Sequence, residues 1–114
     1  MPAHKRLAQI FEAEGELEKA FEHASAAREQ APNDSESAKI LGVVAFKRSE
    51  FARSAQLLRE SARQRPADAE LFYYLGMAHY RLRQAPESKE ALRQAVALKV
   101  APPLAAEANR VLAE

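Results

Sequence analysis

The 114-residue chain contains no cysteine, only three glycines and no long run of apolar residues. Without cysteine it can form neither a disulfide framework nor a thiolate zinc site, and it has no cysteine nucleophile. With so few glycines, long flexible loops are not expected. No stretch approaches the roughly 18 apolar residues of a membrane span, and residues 1–14 show no apolar run typical of a signal peptide. These absences favour the cytoplasm, but the compartment stays unknown at this point, because the lack of cysteine is compatible with any compartment.

A surplus of charge of one sign is also lacking. The 17 Lys and Arg residues nearly balance the 16 Asp and Glu residues, so the net charge is +1. This balance does not favour nucleic acid or an acidic membrane surface as a partner. The charges are nevertheless unevenly spread, because residues 1–34 hold four basic and seven acidic side chains, whereas residues 35–68 hold seven and four. We expect weak, salt-sensitive self-association in which the acidic start of one copy meets the basic middle of another.

Helix-forming residues are abundant. Alanine occurs 25 times and leucine 12 times, and apolar residues recur at spacings of three and four, the period of an amphipathic helix. No polar–apolar alternation persists, so no strand is predicted. Seven helices are predicted in a single all-α domain, at about residues 3–13, 17–30, 36–48, 51–64, 70–82, 86–98 and 104–113. Arginine outnumbers lysine by 11 to 6, which is typical of a protein from a GC-rich bacterial genome.

Residues of the same type recur every 34 positions. Pro32 and Pro66 are one period apart, and each follows the end of a predicted helix. The other sets in phase are Leu7, Leu41 and Leu75; Ala8, Gly42 and Gly76; Phe11, Ala45 and His79; and Ala20, Ser54 and Ser88. A fixed 34-residue period with small residues at matched positions indicates stacked helical hairpins that form an α-solenoid.

These residues resemble the tetratricopeptide repeat family, whose motif has Leu at its seventh position, a small residue at the eighth and Pro at the thirty-second. The resemblance implies a right-handed α-solenoid. It divides the single domain into repeats at 1–34, 35–68 and 69–102, followed by a capping helix at 103–114. The departures from the motif are Ser54 and Ser88 in place of alanine, Ala38 in place of a large residue, and Val100 in place of proline.

The resemblance also implies a concave groove lined by the first helix of each repeat. The residues predicted to line it are Lys5, Gln9, Lys39, Val43, Phe46, Lys47, Tyr73, Met77, Tyr80 and Arg81. Tyr73, Met77 and Tyr80 share one helix face, since they are spaced by four and three. Together with Phe46 they predict an apolar, aromatic patch edged by basic side chains, which suits a peptide or partner helix that carries acidic groups. The alternative is that Tyr73 and Tyr80 only seat the last helix.

The function that this resemblance implies is a non-catalytic scaffold that binds a protein or peptide without a cofactor or metal. His4, His23 and His79 lack the spacing of metal ligands, and the chain contains no glycine-rich phosphate loop and no nucleophile motif. The alternative function is structural. The chain would then be a segment of a longer repeat array, or a self-assembling unit that uses its uncapped first helix and has no dedicated peptide site.

Two narrower functions fit the sequence poorly. Members of the family that bind chaperone tails hold the terminal carboxylate with five basic or amide residues, and only the first of the five positions here matches: Lys5, Gln9, Ile40, Glu70 and Tyr74. Nucleic-acid binding would rest on four arginines in or near the predicted fourth helix: Arg53, Arg59, Arg63 and Arg65. No aromatic residues alternate with these arginines, so a solvated convex face is the better interpretation.

Overall fold

The computed structural model describes residues 3–114. Seven helices follow one another in this range, without a strand: α1 Ala3–Ala13, α2 Leu17–Gln30, α3 Ser35–Lys47, α4 Phe51–Ala62, α5 Ala69–Arg81, α6 Ala85–Ala97 and α7 Pro102–Leu112. Every helix bound lies within two residues of its prediction. Within the same range no helix combines the length and the apolar character that a bilayer crossing requires.

The helices stack as hairpins. Each helix packs against the next one, and the odd-numbered helices also pack side by side, α1 on α3, α3 on α5 and α5 on α7. The stack is elongated, with principal extents of 41, 27 and 24 Å, as expected where each hairpin contacts only its neighbours. The predicted all-α solenoid is confirmed.

The turn inside each hairpin repeats with the 34-residue period. Gly15, Ser49 and Arg83 stand one period apart, and all three have a left-handed backbone, with φ of 79°, 66° and 62°. The residue after each of them donates its amide hydrogen back into the preceding helix: Glu16 to the Phe11 carbonyl at 2.8 Å, Glu50 to Ala45 at 2.8 Å and Gln84 to His79 at 2.9 Å. This is the Schellman motif, which favours glycine. Only the first hairpin has glycine there.

The turns between hairpins are closed by aspartates one period apart. The Asp34 carboxylate accepts from the Ser37 amide at 3.0 Å and caps α3, while the Asp68 carboxylate accepts from the Leu71 amide at 3.1 Å and caps α5. Both are N-caps of the preferred kind. The start of α7 differs, because it begins with two prolines and has no side-chain cap in the described part of the chain.

Helices cross closely within the second and third hairpins. A Cβ atom added at Gly42 would lie 2.8 Å from the Leu58 side chain, and one added at Gly76 would lie 2.6 Å from Leu92. Ser54, at a position where the repeat motif has alanine, is fully buried and its hydroxyl donates to the Gly42 carbonyl at 2.7 Å. The hydroxyl of the in-phase residue, Ser88, is equally buried and has no partner among residues 3–114.

The apolar core is unequal along the stack. A smaller cluster joins the first two hairpins and consists of Ala8, Ala24, Ile40, Leu41 and Leu57. A larger cluster extends from α3 to α7 and includes Leu58, Leu71, Leu75, Leu92 and Val111. The first hairpin is therefore held by less apolar contact than the third.

Helix α7 takes the place that the first helix of a further hairpin would take. It packs on α6 and on α5, and its Ala108 and Val111 side chains are 0% and 1% exposed. They stand 33 positions after Leu75 and Ala78, which are buried on α5. The last helix is therefore shifted by one residue from the 34-residue period. The buried side of the last helix therefore faces the third hairpin.

Candidate functional site

The odd-numbered helices α1, α3 and α5 lie side by side and form one surface of the stack. A pocket of about 70 Å³ opens between them, lined by Gln9, Glu12, Glu36, Lys39, Ile40, Val43, Arg65 and Glu70. Three of these residues, Gln9, Lys39 and Val43, are in the predicted site. We call this surface, with the residues around the pocket, the groove.

The ten residues predicted to line the groove differ in how open they are to a partner. Gln9, Lys47 and Arg81 are exposed. Four are half-buried: Lys5, Lys39, Phe46 and Tyr80. Three are buried, each less than 9% exposed: Val43, Tyr73 and Met77.

The burial of Tyr73 and Met77 corrects the expectation that they form an open aromatic patch. Both belong to the apolar cluster that contains Ala108 and Val111 of α7. Burial raises the pKa of the Tyr73 hydroxyl, and the nearby Glu107 carboxylate of α7 adds to the rise. Neither side chain is therefore open to a peptide in this structure.

Tyr80 also contacts the end of the chain. Its hydroxyl donates to the Glu114 carboxylate at 2.9 Å, and the Lys89 ammonium donates to the Glu114 carbonyl at 3.1 Å. Of the aromatic residues predicted for the site, Phe46 alone lies apart from α7. The alternative drawn from the sequence, in which Tyr73 and Tyr80 seat the last helix, is the one that these contacts favour.

A Lys–Asp–Glu triad occurs twice along the groove, one period apart. The Lys5 ammonium lies 3.1 Å from Asp34 and 2.9 Å from Glu36. In the next hairpin the Lys39 ammonium lies 3.0 Å from Asp68 and 3.1 Å from Glu70. Each triad joins the first helix of one hairpin to the N-cap and first turn of the next odd-numbered helix.

These contacts shift the pKa values of the groups involved. Hydrogen bonds to Glu36 and Asp34 raise the pKa of Lys5. Burial alone would raise the pKa of Asp68, yet hydrogen bonds from Lys39 and from the Leu71 amide bring it below its ordinary value. Both lysines already have acidic partners. They are not the free cations that the sequence predicted for an acidic peptide.

Lys47 is paired as well. Its ammonium contacts the Glu12 carboxylate across α1 and α3, and it lies 5.9 Å from the centre of the Tyr74 ring. Tyr74 packs edge to face against Phe46, with ring centres 5.4 Å apart. The half-buried Phe46–Tyr74 pair, which we call the aromatic pair, is the aromatic feature of the groove that α7 leaves uncovered.

Glu12 and Tyr74 were missing from the predicted site. Tyr74 holds the sixth position of its repeat, where the chain departs from the carboxylate-binding pattern. In-phase charges were the signal for the paired lysines, because Lys5 and Lys39, Asp34 and Asp68, and Glu36 and Glu70 all stand 34 residues apart.

The remaining polar candidates have local partners or face solvent. Arg65 pairs with Asp68 at 3.1 Å, whereas Arg53, Arg59 and Arg63 are exposed.

His79 is buried and donates from its ring nitrogen to the Gln84 side-chain oxygen at 2.7 Å. The rings of His4 and His23 come together, with their Nδ1 atoms 2.9 Å apart, but in residues 3–114 no group of three or more potential ligands could hold a metal ion.

Comparison with known proteins identifies this architecture. A sequence model of the family described as tetratricopeptide repeat matches residues 41–96 and 75–114. No curated protein matches the chain in sequence.

Solved structures with the same fold include several proteins of low sequence identity. The Yersinia enterocolitica type III secretion chaperone SycD, in complex with a peptide of the translocator YopD, aligns at 16% identity over 96% of this chain and 87% of that chain, with a TM-score of 0.81. The first TPR of Spaghetti (RPAP3), bound to the HSP90 peptide SRMEEVD, aligns at 13% identity over 96% and 87%, with a TM-score of 0.83. A mutant O-GlcNAc transferase of Thermobaculum terrenum aligns at 22% identity over 88% of this chain but only 19% of that chain, with a TM-score of 0.80.

Proposed function

The chain belongs to the tetratricopeptide repeat family, and on this premise we propose that it is a non-catalytic module that binds a peptide or a partner helix in its groove. The observation that carries this proposal is the half-buried aromatic pair beside an open pocket. Two of the similar structures hold a bound peptide, although at identities that establish the fold alone. We also propose that α7 caps an array of three repeats, because its buried side faces α5 and α6.

The charges in the groove favour an uncharged or apolar anchor over an acidic tail. Lys5, Lys39 and Lys47 already contact carboxylates of this chain. A terminal carboxylate placed between them would approach Glu36 and Glu70 and would have to displace existing ion pairs. An apolar side chain can instead rest on Phe46 and Tyr74, since aromatic residues make favourable anchors at interfaces.

A peptide-display selection tests this proposal. Random short peptides are selected on the immobilised chain, and the enriched peptides are measured against two variants by isothermal calorimetry. Phe46→Ala should weaken binding at least about tenfold, because it removes half of the aromatic pair. Arg93→Ala, at an exposed position on α6, is the matched control and should bind as the original chain does. Circular dichroism checks that both variants stay helical.

Two results would count against a peptide site in the groove. One is an enriched peptide whose affinity is unchanged by Phe46→Ala. The other is a selection that enriches no peptide. The second result would favour the alternative function, a segment of a longer array or a self-assembling unit. That alternative is supported by the exposure of Leu7 and Ile10 on α1, which are 37% and 43% exposed.

A further inference from the structure

Helix α1 has an apolar face that its counterparts in the stack bury. Leu7 is 37% exposed and Ile10 is 43% exposed. The residues in phase with them on α3 and α5 are exposed by 6% or less: Leu41, Val44, Leu75 and Ala78. On α3 and α5 this face packs against the preceding hairpin, so on α1 the same face lacks a partner within residues 3–114.

The exposed face of α1 carries opposite charges at its two ends. Residues spaced by three or four positions share one side of a helix. The residues of this face are all exposed: Ala3, Arg6, Leu7, Ile10, Ala13 and Glu14. Arg6 stands near the start of the helix, Glu14 stands just past its end, and the residues between them are apolar. Neither Arg6 nor Glu14 forms an ion pair in the described part of the chain.

We propose that this face binds the same face of a second copy, with the two α1 helices antiparallel about a two-fold axis. Ile10 lies midway between Arg6 and Glu14, so an axis at Ile10 sets Ile10 against its own counterpart. The same operation brings Arg6 of each copy level with Glu14 of the other. The face is thus complementary to itself, which a two-fold interface requires. One helix face per copy is small beside a standard interface, so the dimer is weak.

The structure does not favour the head-to-tail contact expected from the sequence. The acidic start of the chain already meets the basic middle inside one molecule, through Glu12 with Lys47 and Glu18 with Arg48. These ion pairs within one molecule already use some of the acidic and basic side chains that were expected to join two copies. The dimer uses α1 alone and leaves the groove free, so it does not depend on the proposed peptide site.

A charge-exchange experiment tests the dimer. Sedimentation velocity over a range of concentrations is run on the 114-residue chain, on Arg6→Glu and on Glu14→Arg. The average mass of the original chain should rise with concentration toward the mass of a dimer. Each variant should dissociate at least about tenfold more readily, because it sets like charges against each other at both ends. An equal mixture of the two variants should regain the dimer, since each then offers the charge that the other lacks.

Further variants separate this dimer from other forms of association. Arg6→Glu places an acidic residue near the start of α1, and Glu14→Arg places a basic residue near its end. Both changes are favourable to the helix dipole, so the fold should be retained. Ile10→Glu should abolish the dimer, whereas Arg93→Glu, on the exposed surface of α6, should leave it unchanged. Circular dichroism confirms helicity in every case.

Any of three outcomes would overturn the proposal. A strict monomer at the highest concentration would leave this face to another occupant, such as a preceding repeat. Oligomers that keep growing beyond two copies would indicate a head-to-tail contact. A dimer that is insensitive to these charges, or is not restored by mixing, would place the contact elsewhere or give it a different geometry.

Discussion

Three junctions connect the stack: two between neighbouring hairpins and one between the third hairpin and α7. The same repeat positions hold polar residues in the first two junctions and apolar residues in the last. In the first two junctions a lysine contacts an aspartate cap and a glutamate, as Lys39 does with Asp68 and Glu70. In the last junction the position of the lysine holds Tyr73, and the residue one period after Asp68 is Pro102. The repeat geometry therefore accepts either a polar junction or an apolar one.

The two kinds of junction differ in what they contribute. Ion pairs that are partly exposed contribute about 0–1 kcal/mol each, whereas a fully buried apolar side chain contributes about 1.5–3 kcal/mol. The polar junctions mainly set how one hairpin meets the next, and the apolar junction holds α7 in place. At the other end, α1 buries only Ala8. We expect local unfolding to begin at the first hairpin.

Removal of α7 should have the largest effect on stability of the changes considered for these junctions. Deletion of residues 102–114 would expose Tyr73, Met77 and their neighbours, at an expected cost of roughly 3–6 kcal/mol for the two side chains. The shortened chain should melt at a lower temperature and aggregate, as thermal unfolding and light scattering would reveal. The double variant Tyr73→Ala with Met77→Ala should also melt at a lower temperature than the original chain. A shortened chain that stays monomeric with an unchanged midpoint would contradict the role of α7 as a cap.

Truncating the three leucines in phase tests the difference between the two ends. Leu41→Ala and Leu75→Ala should each cost about 2–5 kcal/mol, because both side chains are buried, 1% and 6% exposed. Leu7→Ala should cost well under about 1 kcal/mol in the monomer, since its side chain is 37% exposed. Urea unfolding at low protein concentration measures all three. An equal loss for Leu7→Ala would mean that the outer face of α1 is covered.

The polar junction makes a pH-dependent prediction. The pKa of Asp68 is lowered in the folded chain, so its contribution is present above the unfolded pKa of about 3.9 and is lost as the pH falls through the lower folded value. Asp68→Ala should cost about 1–2 kcal/mol at pH 7 through loss of the cap and the ion pair. Denaturant titrations at pH 7 and in acid should show this gap closing as the pH falls below about 4. A gap that is constant across that range would exclude the carboxylate as its source.

The smallest contrast lies between two buried serines in phase. Ser54→Ala should cost about 1 kcal/mol, because the hydroxyl donates to the Gly42 carbonyl. Ser88→Ala should be neutral or stabilising by up to about 1 kcal/mol, since it removes a buried hydroxyl that has no partner within residues 3–114. Paired thermal melts compare the two variants. A loss for Ser88→Ala equal to that for Ser54→Ala would indicate a hydrogen bond to Ser88 in solution.

The predicted site shows where reading the sequence stopped being sufficient. The helix faces of Val43, Tyr73 and Met77 followed from spacing alone, but their exposure did not. The burial of Tyr73 follows from α7, whose register is shifted by one residue from the 34-residue period, whereas Val43 is buried on α3, which α7 does not contact within residues 3–114. The in-phase charges marked Lys39, Asp68 and Glu70 as a repeated set, but their contact was not evident, because the two carboxylates lie 29 and 31 residues further along the chain. Distances of that kind are set by how hairpins stack.

The helices, their bounds and the repeated hairpin follow from the amino-acid sequence alone. Those features depend on signals within the chain itself: apolar spacing within each helix, and leucine, proline and small residues that recur every 34 positions. Tertiary structure alone decided which periodic positions remain open. A solenoid buries a side chain only where a neighbouring element packs on it, so the residues of α5 that face α7 are buried whereas Leu7 and Ile10 of α1 are exposed.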